Sequence, residues 1–202
     1  MQGKNTLERL RRLLAISQTK LSGPSSRTAL RLVHPFPAPM SISLANSVIY
    51  ASTDPDAVIL DPMAGSGTVL AAARDIGRTC YAFDIDPLAR LMMHIISKQH
   101  DVEQVKKVGE QVMHNASKLC CNPHKLDRVF AKRFDKETQD FIRFWFPPQC
   151  LRELLALWLM IEKIDKKKVR EVLAMVFSRL IIAKTAGVSR AIDLPHTRPH
   201  RK

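Results

Sequence analysis

The sequence predicts an α/β chain whose open parallel sheet is incomplete and which continues into a large helical part. Three observations carry this expectation. A strand, a glycine turn, a helix and a second strand succeed one another between residues 57 and 83. Nearly everything after Pro87 repeats with helical period. Only two strands are legible, where a doubly wound sheet wants about five or more.

Taken in order, residues 5 to 17 place Leu7, Leu10, Leu13, Leu14 and Ile16 among arginines, a helical spacing that Gly23-Pro24-Ser25-Ser26 interrupts. In His34-Pro35-Phe36-Pro37-Ala38-Pro39 each proline restricts its predecessor and lacks an amide donor, so this is a stiff extended arm. Ser41 to Ala51 reads as a helix and Thr53-Asp54-Pro55-Asp56 as the turn after it. Ala57-Val58-Ile59-Leu60 is a continuous apolar run, the pattern of a strand buried on both faces, and it ends at Asp61-Pro62. Next are Gly65-Ser66-Gly67-Thr68 and a helix from Val69 to Arg74. Arg78 to Phe83 then makes the second strand, which stops at Asp84-Ile85-Asp86-Pro87. Helices are expected over 88 to 99, 101 to 119, Lys136 to Phe144, Leu151 to Ile164 and Lys167 to Lys184, with Asn122-Pro123 and Pro147-Pro148 as interruptions. In the last helix Val169, Leu173, Val176, Phe177 and Leu180 form one apolar stripe, read as a face that packs into a core. The expected organisation is a basic helix and linker over 1–30, an α/β core over 31–100, and a basic helical segment over 101–202 that ends in a loop.

Charge is the feature that departs from average. The 202 residues hold 32 Lys and Arg against 19 Asp and Glu, a net charge of +13 and a pI near 10.0. The excess sits at the ends, with +6 over residues 1–50 and +7 over 151–202, while 51–100 carries −2. Such a balance favours a polyanionic partner, and nucleic acid is the expected one. Arg179, Lys184, Arg190, Arg198 and Arg201, in the basic final block, are the candidate nucleic-acid contacts. Runs such as Lys166-Lys167-Lys168 read as solvated helix face. Cys80, Cys120, Cys121 and Cys150 contain no Cys-x-x-Cys pair, and no secretory leader is legible, so a reduced cytoplasmic setting is expected without a metal site. No apolar stretch approaches the roughly 20 residues of a membrane span.

The glycine turn and the acid behind it carry the chemistry. Glycine at 65 and 67 lets backbone approach a ligand, and amides that open the next helix can donate to an anionic group. Asp84 ends the second strand, where a carboxylate can accept from both hydroxyls of a ribose. Turn, helix and acid at this spacing imply an adenosine-type ligand. No Lys follows Gly67, against a nucleoside triphosphatase, and Leu70 stands where a dinucleotide fingerprint has its third glycine. Asp61, just before the turn, suits the ammonium and sulfonium of S-adenosylmethionine better than a pyrophosphate.

Asp61-Pro62-Met63-Ala64-Gly65-Ser66-Gly67-Thr68, with Ala82-Phe83-Asp84-Ile85-Asp86-Pro87 after it, resembles the cofactor half of S-adenosylmethionine-dependent DNA methyltransferases that modify an exocyclic amino group of adenine or cytosine. The upstream His34-Pro35-Phe36-Pro37 is similar to the arm that precedes the glycine turn in the permuted members. The likeness covers roughly residues 30 to 95 and implies an incomplete Rossmann-like methyltransferase fold. It also implies that Asp61, Pro62 and the backbone from Ala64 through Gly65, Ser66 and Gly67 to Thr68 hold the methionine end. Asp84 would then take the ribose, Ile85 the adenine, and Phe36 with Pro37 the wall of the methionine end. Asp86 is expected instead to cap the next helix ahead of Pro87.

The same family aligns its target amine with a polar residue, two prolines and an aromatic. The chain's Pro147-Pro148 lies between Phe146 and Gln149 and has neither the polar acceptor before it nor the ring after it, so it reads as the start of a helix. The chain is therefore expected to be the cofactor-binding portion of a DNA methyltransferase, with the catalytic turn on a missing C-terminal region or a second chain. An RNA methyltransferase, or a non-catalytic nucleic-acid-binding protein with a vestigial pocket, is the alternative.

Overall fold

The computed structural model describes His34 and residues 40–182. The helix expected over 5–17, Phe36 and Pro37 of the arm, and the closing loop lie outside the described residues. The chain divides into two compact units, one through Gln99 and one from His100.

In the first unit α1 (Ile42–Ser52) buries Ile42, Ala45 and Ile49, one face of a 3.6-residue period. It ends where Thr53 Oγ1 donates to the Ile49 carbonyl at 2.6 Å. The Arg78 guanidinium donates to the Asp54 carbonyl in the turn beyond. Next come β1 (Ile59–Asp61), α2 (Thr68–Asp75), β2 (Cys80–Ala82) and α3 (Pro87–Ile96). β1 and β2 pair in parallel, Ile59 with Cys80, Leu60 with Tyr81 and Asp61 with Ala82. A parallel pair needs a crossover, and α2 supplies it. Ala71, Ala72 and Ala73 are buried along α2, and their small side chains let it lie close to both α1 and the sheet.

The strands are shorter than the apolar runs suggest, and one expectation is overturned. Leu60 and Tyr81, opposite each other on one face, are 66% and 58% exposed, and Val58 and Phe83, two residues along, are exposed with them. On the other face Ile59, Cys80 and Ala82 are half-buried, where α2 packs on the sheet. The run Ala57 to Leu60 is apolar throughout because a parallel strand ordinarily has a layer on each side. Among the described residues only one side is covered.

The second unit consists of helices α4 (Val102–Cys120), α5 (Pro123–Arg133), α6 (Lys136–Trp145), α7 (Pro148–Glu162) and α8 (Lys167–Ile182). Side chains cap three of them. Asp101 accepts from the Gln104 amide at 3.0 Å, Asn122 from Lys125 at 3.1 Å and Asp135 from Thr138 at 2.7 Å. Helix α5 goes beyond the sequence expectation, in which Asn122-Pro123 is only an interruption. The pair is also a start signal, a capping Asn before a proline at the first helical position, where a missing amide costs nothing. Pro147 and Pro148 likewise open α7. Leu126 and Phe130 of α5 meet Ala116 of α4 and Leu151, Leu155 and Ala156 of α7 in a closed core. Arg133 holds Glu162 through two bonds of 2.8 and 2.5 Å, and Arg152 holds Asp127 through two of 2.9 Å, tying α5 to α7. Both pairs are partly exposed and screened by solvent, so they fix how α5 lies on α7 more than they add stability.

The stripe on α8 departs from its expected role. Val169 is buried, but Val176 is 56% exposed, and Leu173, Phe177 and Leu180 line an open apolar groove of about 750 Å³ against α4. Helical period predicts that these side chains share a face, and only the packing decides whether that face is sealed.

Two substitutions separate closed core from open face. Leu126 is 0% exposed, so Leu126→Ala should cost about 2–5 kcal/mol in urea unfolding. Leu60→Thr, on the uncovered side of the sheet, should stay within about 0.5 kcal/mol of the parent.

Candidate cofactor site

The site forms where β1 and β2 end side by side, the position at which open parallel sheets present ligands. Two backbone bonds extend the strand pairing into it, from the Phe83 amide to the Asp61 carbonyl and from the Ala64 amide to the Phe83 carbonyl, both 2.9 Å. The turn between them is left-handed at Gly65 (φ 52) and Gly67 (φ 79), and the Gly67 amide closes it on the Ala64 carbonyl at 2.8 Å. A Cβ at Gly67 would lie 3.1 Å from Met93 Cγ and 3.4 Å from Ile96 Cδ1. The left-handed conformation favours glycine there, and a Cβ would also ask Met93 on α3 to shift by a few tenths of an ångström.

Asp84 fastens this turn to β2. Its Oδ2 accepts from the Gly65 amide at 2.7 Å and its Oδ1 from the Asp86 amide at 2.9 Å. Those two amides, Asp86 first and Gly65 second, hold the carboxyl below the ordinary carboxylate value. Each oxygen of a carboxylate has a second acceptor position, so the group can serve the turn and still face outward to a donor. Sequence reasoning assigns Asp84 a ligand and misses this internal bond. The bond to Asp86 is an aspartate turn two residues long, a pattern already contained in the spacing Asp84-Ile85-Asp86. Asp61 makes the same local turn, with Oδ1 accepting from the Met63 amide at 3.3 Å. Asp86 caps α3 as expected, accepting from Leu88 at 2.7 Å ahead of Pro87.

The remaining candidates fall into two groups. Ala64, Ser66 and Thr68 are buried, and the two hydroxyls meet at 3.1 Å, so these side chains stabilise the turn from within. Pro62 is exposed, and Ile85 is 95% exposed beside Asp84. Gly67, which precedes the first turn of α2, offers no side chain to cap it, and amides in that position are donors for an anionic group. A groove of about 410 Å³ adjoins Asp84 along β2 and α3, lined among others by Phe83, Arg90, Met93 and His94. Arg90 and His94 read as ordinary helix-face residues, and no sequence signal joins them to the turn. Burial, and then the Asp61 charge, push the Cys80 thiol upward. His34 is buried, while Phe36 and Pro37 are outside the described residues. Arg179 is half-buried on α8, and Lys184, Arg190, Arg198 and Arg201 are outside the described residues. Among the described residues no group of His, Cys, Asp and Glu is arranged to hold a metal, and no helix is long and apolar enough to cross a membrane.

Gly67→Ala should destabilise the first unit by about 1–2 kcal/mol from the left-handed backbone alone, read from urea midpoints. The depressed Asp84 carboxyl makes its contribution fully above the ordinary carboxylate range, near pH 3.9. That contribution disappears as pH falls through the lower, folded value. The stability gap between wild type and Asp84→Asn should therefore be widest near neutrality and close in acid.

Comparison with known proteins agrees with the resemblance carried by these residues. The chain is 23% identical over 122 residues to the Type II methyltransferase M.MjaII of Methanocaldococcus jannaschii, an alignment covering 60% of this chain and 23% of the relative. The chain thus spans about a quarter of the length of that curated protein. No solved structure matches it. Residues 7–92 are similar to the DNA methylase family, a stretch that contains the glycine turn, both strands and Asp84.

Proposed function

We propose that this chain is the cofactor-holding portion of an S-adenosylmethionine-dependent DNA methyltransferase that modifies an exocyclic amino group of a base. The observation that carries the reading is the glycine turn bound through Gly65 to Asp84 at the adjoining ends of two parallel strands. The uncapped first turn of α2 suits the carboxylate of the methionine end, and Asp61 suits its cationic groups. The second acceptor positions on Asp84 suit ribose hydroxyls, and exposed Ile85 offers an apolar surface to a flat adenine ring. Phe36 and Pro37 are assigned to the methionine end by family likeness. S-adenosylmethionine supplies an activated methyl group when bound, and these residues hold and orient it.

The fold in this reading is Rossmann-like and incomplete, with its α/β core over 31–100. The catalytic turn belongs to sequence outside this chain, on a further region or a second polypeptide. The open apolar face made by Val58, Leu60, Tyr81 and Phe83 supports this, since an uncovered side of a parallel sheet is a surface for further structure. DNA is the substrate by family likeness and by the net charge of +13.

Calorimetric titration of the full chain with S-adenosylmethionine, NAD and ATP tests the cofactor reading. Saturable binding of the first alone is expected. Ile85→Ala, at a position too exposed to affect folding, should weaken it several-fold, and Asp84→Asn should weaken it about tenfold or more. Selective binding of NAD would overturn the assignment. Ordinary turnover on DNA by the purified chain alone would refute the externally supplied catalytic turn.

A further inference from the structure

Lys125, Arg128 and Lys132 occupy positions i, i+3 and i+7 of α5, and all three are exposed. At about 100° per residue these positions fall within a sector of roughly 60°, so they form a single stripe. The opposite side of the helix is fixed. Leu126 and Phe130 are 0% and 4% exposed in the core shared with α4 and α7, which sets the direction of the stripe. The acid within the helix is already neutralised, because Asp127 points away and is held by Arg152. Arg133 is also committed, to Glu162. Lys125, Arg128 and Lys132 enter no ion pair among the described residues, so three positive charges remain on one rigid face.

Their spacing suits a regular polyanion. From Lys125 to Lys132 the helix advances about 10 Å at about 1.5 Å per residue. A strand of duplex DNA presents a phosphate every 3.4 Å or so of axis, so the stripe spans about three phosphates. A mobile lysine run on an isolated surface helix would give up conformational freedom on binding. Here the backbone that carries the cations is already locked by the core.

We propose that the Lys125–Arg128–Lys132 face of α5 grips the phosphate backbone of duplex DNA. It acts as a sequence-independent positioning surface for the reaction proposed above, on which reading it rests. Contacts of this type set orientation and affinity and read no bases. The surface differs from the arginines of the final block, and it sits on a helix that composition alone does not reveal.

The test is the salt dependence of duplex DNA binding by the full chain, measured by fluorescence anisotropy on two unrelated sequences. The triple variant Lys125→Ala, Arg128→Ala, Lys132→Ala is compared with Lys166→Ala, Lys167→Ala, Lys168→Ala, which removes the same charge from the same unit. Each lost phosphate contact lowers the slope of log affinity against log salt by about 0.9, so the first variant should lose between two and three units on both sequences. The second variant should keep the wild-type slope. Equal changes in both variants would reduce the effect to net charge and overturn the proposal. So would an unchanged slope in the first variant, failure of wild type to bind duplex DNA, or preferential binding of RNA. Thermal midpoints of both variants should match wild type, since all six positions are exposed. Titration with S-adenosylmethionine separates the two readings. Loss of the DNA effect with cofactor binding intact overturns only the stripe, whereas DNA binding through the stripe without cofactor binding overturns only the cofactor assignment.

Discussion

The hydrogen bond from the Gly65 amide to Asp84 is the constraint on which the rest of the first unit depends. It joins the ends of two strands that are separated in sequence by a turn and a helix. Remove it, and the left-handed turn at Gly65 and Gly67 loses its side-chain tie to the end of β2 and keeps the backbone bond from Ala64 to Phe83, its own closing bond and the Ser66–Thr68 hydroxyl pair. The same carboxylate also organises Asp86, which caps α3, and α3 brings Met93 and Ile96 against Gly67. One acidic side chain therefore sets the turn, the start of the next helix and the surface on which the turn rests. The segment this bond closes lies within residues 7–92, the stretch similar to the DNA methylase family.

A second constraint is the asymmetry of the sheet. Two three-residue strands make a small platform, covered by α2 on one side and open on the other among the described residues. The side chains on the open side are those of a protein interior. Their cost in water is tolerable only for a few residues, and it gives the unit a reason to acquire further structure. The helical unit solves its own burial differently, closing a core around Leu126 and Phe130 while α4 and α8 leave an apolar groove open. Each unit thus combines a sealed region with an unsealed one.

Much of this is legible in the residues. The turn, the order strand, helix, strand, the cap at Asp86 and most helices obey local rules: positive φ at glycine, apolar period, and the preference of Asp and Asn for helix starts. Helix α5 escapes a sequence reading because Asn122-Pro123 carries two meanings, an end for the preceding helix and a start for the next. Leu126 and Phe130, four residues apart, favour the second. The exposure of Leu60 and Tyr81 escapes it for a different reason. An apolar run states what a strand needs on its two faces and is silent on whether both are supplied.

The sequence by itself determined the chemistry of the turn, the positions of its two aspartates and the excess of positive charge, because each is a property of residue type and local spacing. Only the tertiary structure decided that Asp84 accepts from the Gly65 and Asp86 amides and that, among the described residues, one side of the sheet stays open. It also decided which cations of α5 are left outside ion pairs among the described residues, since Arg133 and Arg152 find acids 29 and 25 residues away. Pairing at that separation is set by how helices pack, and no local pattern encodes it.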